Sequence, residues 1–378
     1  MNWGTFNELL QLNHYKQLRA SSPFSFHAEH RYWDIYKYEP VKKILLDHEN
    51  FSSQGEQNDQ DPIDSSILRQ DPPKHRQLRR FVSQAFTPRM IESLQPKIDA
   101  IAHQLCDEAE RRGAIDALHD FASPLPITVI AEMLGVPASD RQQFKQWSDS
   151  LVGNDRERYY ECQREMSIYF GDIMNARRRE PQDDLVSELV QATIEGEQLS
   201  DLEIIGFCIL LLVAGNETTT NLITSALICL DCDREARAQL LSNPLLIPQA
   251  LEETLRYCSP VRMTSRMVTR DVELCGQSFQ AGQFVNVAIG SANHDEEQFA
   301  NPERFDIHRS PNAHLAFGHG IHFCLGAQLA RIEAKAALTA FLQRFPDYQC
   351  DPSYQLERQD SWMIFGVTRL PLLLNLTS

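Results

Sequence analysis

The sequence lacks any long apolar run. Its longest purely apolar stretch, residues 207–214, is far too short to cross a bilayer, and residues 1–16 lack the continuous apolar segment of a signal peptide. It also lacks an excess of positive charge, because the formal net charge is −16. That charge excludes a generally basic nucleic-acid-binding protein. These absences predict a cytoplasmic protein with no membrane anchor and no nucleic-acid partner.

A disulfide framework is also not indicated. The nine cysteines are an odd number in a chain without a secretion signal. We therefore expect reduced thiols in a cytoplasm, most of them buried as small apolar side chains. Any cysteine with a special role must then be identified by its neighbours.

No internal repeat, low-complexity tract or interdomain linker divides the 378 residues. Hydrophobic residues make up 42% and charged residues 23%, the balance of a globular protein with a real core. Helical spacing predominates from residue 73 to 257, with predicted helices at 88–112, 156–179 and 183–195 among others, and again over 325–345. Ser200 and Glu203 predict a capping box at the start of the long apolar helix. Residues 51–70, rich in Ser, Asp, Gln and Asn, are predicted to form a loop, and residues 25–38 a small hairpin. Shorter β-type runs are found at 25–38, 264–274, 284–288 and 361–374. We predict one mainly α domain, residues 1–378, with a minor β portion.

The most informative stretch, residues 317–326, reads Phe-Gly-His-Gly-Ile-His-Phe-Cys-Leu-Gly. Its three glycines, Gly318, Gly320 and Gly326, permit a tight loop and a close approach to a flat group. Cys324 stands at the entrance of a helix, where free N–H groups and the helix dipole favour a thiolate. A thiolate in a dry loop is a suitable ligand for haem iron.

The most apolar helix of the chain contains a segment that conflicts with helix propensity. Residues 214–220 read Ala-Gly-Asn-Glu-Thr-Thr-Thr. Glycine costs a helix about 1 kcal/mol relative to alanine, three threonines are stiff, and a buried glutamate needs a partner. Several such conflicts in one helix indicate a functional site. The alternative is structural: threonine hydroxyls can bond the carbonyl four residues back and bend the helix.

The cysteine stretch resembles the haem-binding signature of the cytochrome P450 family, Phe-x-x-Gly-x-His/Arg-x-Cys-x-Gly, with every fixed position filled. The helix segment resembles the oxygen-activating motif of that family, Ala-Gly-x-Asp/Glu-Thr-Thr. The resemblance implies the cytochrome P450 fold as a single large domain. It also implies haem b (iron protoporphyrin IX), with Cys324 as the iron ligand and Phe317 and Gly326 in the haem-binding loop.

The resemblance also assigns roles in the oxygen motif. Ala214 and Gly215, which lack bulk, would leave room for O2 beside the haem. Thr218 would then hydrogen-bond the bound oxygen, and Glu217 would connect it to a supply of protons.

Four cationic side chains match the propionate contacts of the family. His75 and Arg79 form a His-x-x-x-Arg pair on one helix face, Arg266 begins a strand, and His322 lies two residues before the cysteine. Two buried carboxylates need cationic donors, and arginine suits them best.

Glu253 and Arg256 lie one helical turn apart and resemble the structural ion pair of the family. The third member of that network is an Arg or His before the cysteine. Arg304 and His319 are both candidates, and the sequence does not choose between them.

The activity implied by the resemblance is monooxygenation: one atom of O2 is inserted into a lipophilic small molecule such as a fatty acid, terpenoid or steroid. The residues expected to line the pocket are mainly apolar and come from 51–70, Leu210, Val213, Ala214, 261–264 and 363–365. Within this set Arg262 either pairs with a substrate carboxylate or faces away. Stretches 213–224 and 317–326 look like those of bacillus-type members that hydroxylate fatty acids and isoprenoids.

Electrons would come from an acidic ferredoxin or flavodoxin with its NAD(P)H reductase, docked on a positive patch. The candidate patch residues are Lys74, Arg76, Arg80, Arg89, Arg331 and Lys335. We expect a monomer. Two alternatives are a peroxygenase that uses hydrogen peroxide and a haem-dependent sensor or carrier; the intact Glu217–Thr218 pair counts against both.

Overall fold

The structure is a computed structural model that describes residues 1–55, 61–152 and 155–374. Helices hold 56% of the residues and strands 11%, so the prediction of a mainly α fold is confirmed. The helices are α1 Trp3–Leu9, α2 Leu12–Ser21, α3 Tyr38–Leu46, α4 Lys74–Ala85, α5 Pro88–Ser93, α6 Gln95–Arg112, α7 Pro124–Met133, α8 Arg141–Val152, α9 Arg156–Arg179, α10 Leu185–Gln191, α11 Asp201–Cys232, α12 Arg234–Ser242, α13 Ile247–Tyr257, α14 Ile289–Ala292 and α15 Ala327–Arg344. The strands are β1 Phe24–His27, β2 Tyr32–Ile35, β3 Phe51–Ser52, β4 Ala114–Asp116, β5 Thr264–Val268, β6 Val272–Leu274, β7 Gln277–Phe279, β8 Phe284–Val287, β9 Gln349–Cys350 and β10 Pro371–Leu373.

The chain forms two compact units. The first consists of Met1–Ser52, Gln95–Leu125 and Thr218–Ser378, and it contains every strand listed above. Its largest sheet has the order β1-β2-β8-β5-β3. β1 and β2 form the predicted hairpin, with Phe24 opposite Ile35, and β8 runs parallel to β2 and antiparallel to β5.

One face of this sheet packs into an apolar core. Ile35, Phe51, Val285 and Val287 contribute side chains with no exposed surface, together with residues of α3 and α14. In the same unit α15 packs against α6 and α13. This packing fixes the start of α15, and with it the loop that carries Cys324.

The second unit consists of Ser53–Leu94 and Pro126–Glu217 and is helical. α9 packs against α8 and α10, and α10 packs against α4. A cluster of tilted and edge-on rings joins α8 to α9; its members are Phe144, Trp147, Tyr169 and Phe170. The helix predicted at 156–179 agrees with α9 at both ends. Its first turn is capped by Asp155, whose side chain accepts from the amides of Glu157 and Arg158.

α11 contributes residues to both units, with Glu217 in the second and Thr218 in the first. The predicted capping box begins it: the amide of Ser200 donates to Glu203 at 2.7 Å, and the amide of Glu203 donates to the Ser200 hydroxyl at 3.3 Å. By length and composition this one helix of the described chain could cross a membrane. However, 56% of its most apolar window is buried inside the protein, as in a core helix.

Two predicted helices are shorter than the sequence pattern indicated. The segment 88–112 is broken into α5 and α6 around Leu94, because Pro96 is tolerated only in the first turn of a new helix. The segment 183–195 remains helical only from Leu185 to Gln191. Gly196 with its positive φ of 83° then closes a turn in which Ile194 pairs with Glu197. Part of the predicted 51–70 loop, residues 56–60, lies outside the described residues.

Candidate active site

The cysteine loop of the first unit is held by its own backbone. The amide of Cys324 donates to the carbonyl of Phe317 at 2.9 Å, and the amide of Phe323 donates to that of Gly320 at 3.1 Å. Gly318 and Gly320 both have a φ of +74°, which disfavours any residue with a Cβ. A Cβ at Gly320 would also lie 2.8 Å from the carbonyl oxygen of Leu45, so this glycine lets the loop rest on α3.

A second set of contacts braces the same loop from α13 and α15. Glu252 accepts from Arg331 at 2.6 and 2.9 Å and lies 3.1 Å from His314. The Arg331 guanidinium stacks over the Phe317 ring at 4.4 Å. The hydrogen bond to Glu252, and then the nearby Cys324 sulfur, hold the pKa of Arg331 above its usual value. A cation in this position favours the thiolate form of Cys324. This network was not predicted from the sequence, because its members are 62 and 79 residues apart along the chain.

The Glu253–Arg256 pair is present and buried, with both side chains at 0% exposure. Its third charged member is Arg309, whose Nε lies 3.1 Å from both carboxylate oxygens of Glu253. Of the two candidates left open by the sequence, Arg304 contributes only its carbonyl, which accepts from Arg256 at 3.1 Å. No bond to Glu253 involves His319 among the described residues. Neither candidate was therefore the right one.

The remaining predicted haem contacts of the first unit are half-buried. Arg266 lies on β5, opposite Val285 of β8, and its Nη1 donates to the carbonyl of Ser265 at 2.8 Å. His322 ends the short 3-10 turn Gly320–His322, two residues before the cysteine. Gly326 is the N-cap of α15.

The second unit contains the other predicted propionate pair. His75 and Arg79 lie one turn apart on α4; the His75 side chain is buried and Arg79 is half-buried. Their neighbours on α4 have local partners: Lys74 is paired with Glu203, and Arg80 with Glu195 at 2.9 Å.

The predicted oxygen motif lies on a helix that stays regular through all three threonines. Ala214 is exposed and Thr218, one turn later, is half-buried, although the residues around them are mostly buried. Glu217 is buried at 8% exposure. Gly215 was expected to leave room for O2, but its packing gives another reason for a glycine. A Cβ at this position would lie 2.5 Å from Cδ1 of Ile130 on α7.

The loop fits a haem by three observations. Cys324 is exposed, Phe323 beside it is 43% exposed, and a Cβ at Gly326 would meet nothing within 4 Å, so protein does not cover this side of the loop. The described residues hold no group of three or more His, Cys, Asp or Glu able to bind a metal.

The Arg262 side chain binds two residues near the N-terminus. Its Nε donates to the Tyr15 hydroxyl at 3.0 Å and its Nη2 donates to Gln11 at 2.7 Å. Of the other predicted lining residues in this unit, Met363 is 39% exposed, whereas Ile364 and Phe365 are buried. In the second unit Leu210 and Val213 are half-buried on α11.

Comparison with known proteins identifies the family. The model of the family described as Cytochrome P450 matches residues 21–134 and 126–376. Cytochrome P450 109 of Bacillus spizizenii is 43% identical over 371 residues, which are 95% of this chain and 90% of that protein. The structure of CYP109E1 from Bacillus megaterium in complex with testosterone is 42% identical, has a TM-score of 0.90, and matches over 97% of this chain and 99% of its own.

A third relative was solved with a lipid-bearing partner. P450BioI in complex with acyl carrier protein ligated to hexadec-9Z-enoic acid is 36% identical with a TM-score of 0.90, over 97% of this chain and 99% of that one. Cytochrome P450 homologues are oxidoreductases that act as monooxygenases. The chain belongs to the cytochrome P450 family of haem-dependent monooxygenases.

Proposed function

We propose that this protein hydroxylates an apolar small molecule with O2, using haem b bound through the Cys324 thiolate. The observation that carries the proposal is the exposed Cys324 in a loop held by its own backbone and braced by Arg331. When bound, the haem supplies the oxygen-activating iron. The loop keeps the sulfur at the start of α15, where the helix dipole and Arg331 stabilise its negative charge.

Four cationic side chains would hold the two propionates of the haem. Arg266, His322, His75 and Arg79 have the donor groups that carboxylates require. Phe317 and Gly326 would contact the haem from the cysteine loop. These roles follow the family pattern at positions that match it residue by residue.

Glu217 and Thr218 would handle the protons of the reaction. Thr218 has the accessible surface needed to hydrogen-bond oxygen, and the exposed Ala214 leaves space one turn before it. Glu217 would pass protons towards that hydroxyl. We expect Thr218→Val to consume reducing equivalents at near the normal rate while product falls about a hundredfold and peroxide rises, because removal of a proton-transfer group commonly costs 10²–10⁴-fold. Thr220→Val on the same helix is the matched control, and a drop in product only in that control would contradict the assignment.

We propose a neutral lipid, with steroids and terpenoids ahead of free fatty acids. Leu210, Val213, Ala214 and Met363 present apolar surface. Arg262, the cation within the predicted lining set, is engaged by Tyr15 and Gln11. The testosterone complex of a 42% identical relative supports a steroid-sized ligand. Titrating testosterone and hexadecanoic acid separately, with the spin-state change of the haem as the signal, tests the order. Tighter binding of hexadecanoic acid than of testosterone would reverse the proposed order of substrate preference.

The electron donor would be an acidic ferredoxin or flavodoxin with its NAD(P)H reductase, acting on a cytoplasmic monomer. Three of the candidate patch residues already form ion pairs within the protein and are therefore less available to a docking partner. They are Lys74 with Glu203, Arg80 with Glu195 and Arg331 with Glu252. Arg76, Arg89 and Lys335 are exposed, and no ion pair is found for them within the described ranges. Arg76→Glu with Arg89→Glu should slow reduction by the partner without changing substrate affinity, and Arg80→Glu should slow it less.

The decisive experiment is the absorption spectrum of the dithionite-reduced protein under carbon monoxide. Wild type should give the strongly red-shifted Soret band of thiolate-bound haem, and Cys324→Ala should lose it. Cys275→Ala is the matched control, since Cys275 is the other exposed cysteine. Haem binding without that band in wild type would refute thiolate ligation by Cys324. No haem binding at all would refute the whole proposal.

A further inference from the structure

A small cavity in the first unit is lined by polar groups that the proposed function does not use. Its volume is about 20 Å³, and its lining includes Tyr15, Ser259, Arg262 and His294, all of which belong to that unit. Tyr15, Ser259 and His294 are buried, with 4%, 4% and 2% of their surface exposed. A single water molecule needs a cavity of about 10–15 Å³. The space therefore suits one ligand of the size of water.

His294 is held as a neutral ring with a lone pair on Nε2. Its Nδ1 lies 2.9 Å from the carbonyl oxygen of Gly290, and because a carbonyl can only accept, Nδ1 carries the hydrogen. Burial, followed by the positive charge of Arg256, lowers the pKa of His294 to about 3, so the ring takes no second hydrogen at neutral pH. Nε2 is buried and has no hydrogen-bond partner among the described residues. A buried acceptor of this kind requires a donor.

Two hydroxyl groups complete the requirements on the ligand. The Ser259 hydroxyl donates to the carbonyl of Leu255 at 3.0 Å and accepts from Nδ2 of Asn293 at 2.8 Å, which leaves one of its lone pairs. The Tyr15 hydroxyl accepts from Nε of Arg262 at 3.0 Å and also from its Nη2. Within the described part of the chain, the hydrogen of this hydroxyl has no acceptor. The ligand must therefore accept from Tyr15 and donate to Ser259.

These requirements exclude ions and match water. An anion cannot donate to Nε2 of His294 or to the lone pair of Ser259. A cation cannot accept the hydrogen of Tyr15, and it would also face the positive charge of Arg262. Water has two donors and two lone pairs, and buried water in proteins typically makes about three hydrogen bonds. One bond accepted from Tyr15 and one donated to each of the other two side chains gives that number.

We propose that this cavity is a binding site for one ordered water molecule, which accepts from Tyr15 and donates to His294 and Ser259. The water joins α2, which carries Tyr15, to the segments that follow α13 and α14. It acts as a structural ligand that holds an N-terminal helix against the rest of the first unit. The inference does not depend on the haem or on the proposed activity.

A crystal structure of the haem-loaded protein, at a resolution that shows ordered water, is the direct test. It should show density for a single oxygen atom within hydrogen-bonding distance of Tyr15 Oη, Ser259 Oγ and His294 Nε2. His294→Phe replaces the acceptor nitrogen by carbon and should lose this density. Absence of the density in wild type, or density with the contacts of an ion, would overturn the inference.

Urea unfolding provides a second test that needs no crystal. Tyr15→Phe and Ser259→Ala each remove one partner of the water, and no direct hydrogen bond joins these two residues in the described structure. The water should couple them: the double variant should have an unfolding equilibrium constant at least about twofold smaller than the product of the two single effects predicts.

The matched control for this coupling pairs Tyr15→Phe with Thr254→Val. The Thr254 hydroxyl is also buried and donates to the carbonyl of Ala250, four residues back, at 2.8 Å, as Ser259 does to Leu255. Thr254 does not line the cavity, so the effects of this pair should be additive. Additive effects of Tyr15→Phe and Ser259→Ala, or equal coupling in both pairs, would show that no water connects the two hydroxyls.

Discussion

A substitution at Arg309 tests the buried ion-pair network that Arg309 forms with Glu253 and Arg256. Its Nε lies 3.1 Å from both carboxylate oxygens of Glu253. Its Nη groups donate to the main-chain carbonyls of Ala300, Asn301 and Arg304 at 2.8, 3.3 and 3.1 Å. Arg309→Met keeps most of the alkyl stem but removes all of these donors and the charge. We expect this single change to destabilise the native state measurably.

The magnitude follows from what remains after the substitution. Breaking a buried ion pair costs about 3–5 kcal/mol when a charge is left uncompensated. Arg256 still binds Glu253 through two bonds of 2.8 Å, so the loss lies at the lower end, about 3 kcal/mol. Unfolding entropy is about 2.1 cal/mol/K per residue, which for 378 residues is about 0.8 kcal/mol/K. The melting temperature should therefore fall by about 4 °C.

The assay is thermal unfolding of the haem-loaded protein, followed by far-ultraviolet circular dichroism and by the Soret band. Arg304→Met is the matched control, because Arg304 is exposed and only its carbonyl takes part in the network. Surface substitutions of this kind usually stay within about 0.5 kcal/mol, so its melting temperature should stay within about 1 °C of wild type. Equal losses in the two variants, or no loss in Arg309→Met, would refute the assignment.

Two further predictions concern packing and pH. Gly206→Ala on α11 would place a Cβ 2.0 Å from the carbonyl oxygen of Pro62 and should cost about 1–3 kcal/mol in urea unfolding. Gly171→Ala on α9 meets nothing within 4 Å and should instead stabilise by about 1 kcal/mol; a loss at both sites would contradict the packing argument. Burial alone would raise the pKa of Glu252, but hydrogen bonds led by that from Arg331 lower it to about 2. The resulting stability is present above pH 4.5 and is lost as the pH falls towards 2, so Glu252→Gln should flatten the acid side of the urea-midpoint profile. An unchanged slope would show that this pair does not contribute.

Much of the fold could be predicted because its signals are local. The capping box at Ser200 and Glu203, the Asp155 cap of α9 and the hairpin of β1 and β2 each lie within a few residues. The same holds for the cysteine motif, whose glycines and cysteine are consecutive in the chain. Such features reflect backbone requirements that a short sequence window contains in full.

The contacts that support the site could not be predicted in this way. Arg309 reaches Glu253 across 56 residues, and Arg331 reaches Glu252 across 79. Several cations follow residue 300, and only tertiary packing decides which of them reaches a given carboxylate. Arg304 and His319 were candidates because they stand in recognisable motifs. Arg309 stands in none.

The threonine run of α11 shows how one motif combines structural and functional positions. A hydroxyl that bonds the carbonyl four residues back is found at Thr224, which donates to the carbonyl of Thr220 at 3.1 Å. The side chain of Thr219 is hydrogen-bonded to Glu333 and is buried. Thr218 is the threonine of the run that keeps partial exposure. Because buried hydroxyls must be satisfied internally, the flanking threonines are explained by packing. Thr218, which is partly exposed, is therefore the threonine of the run whose proposed role in the reaction can be tested.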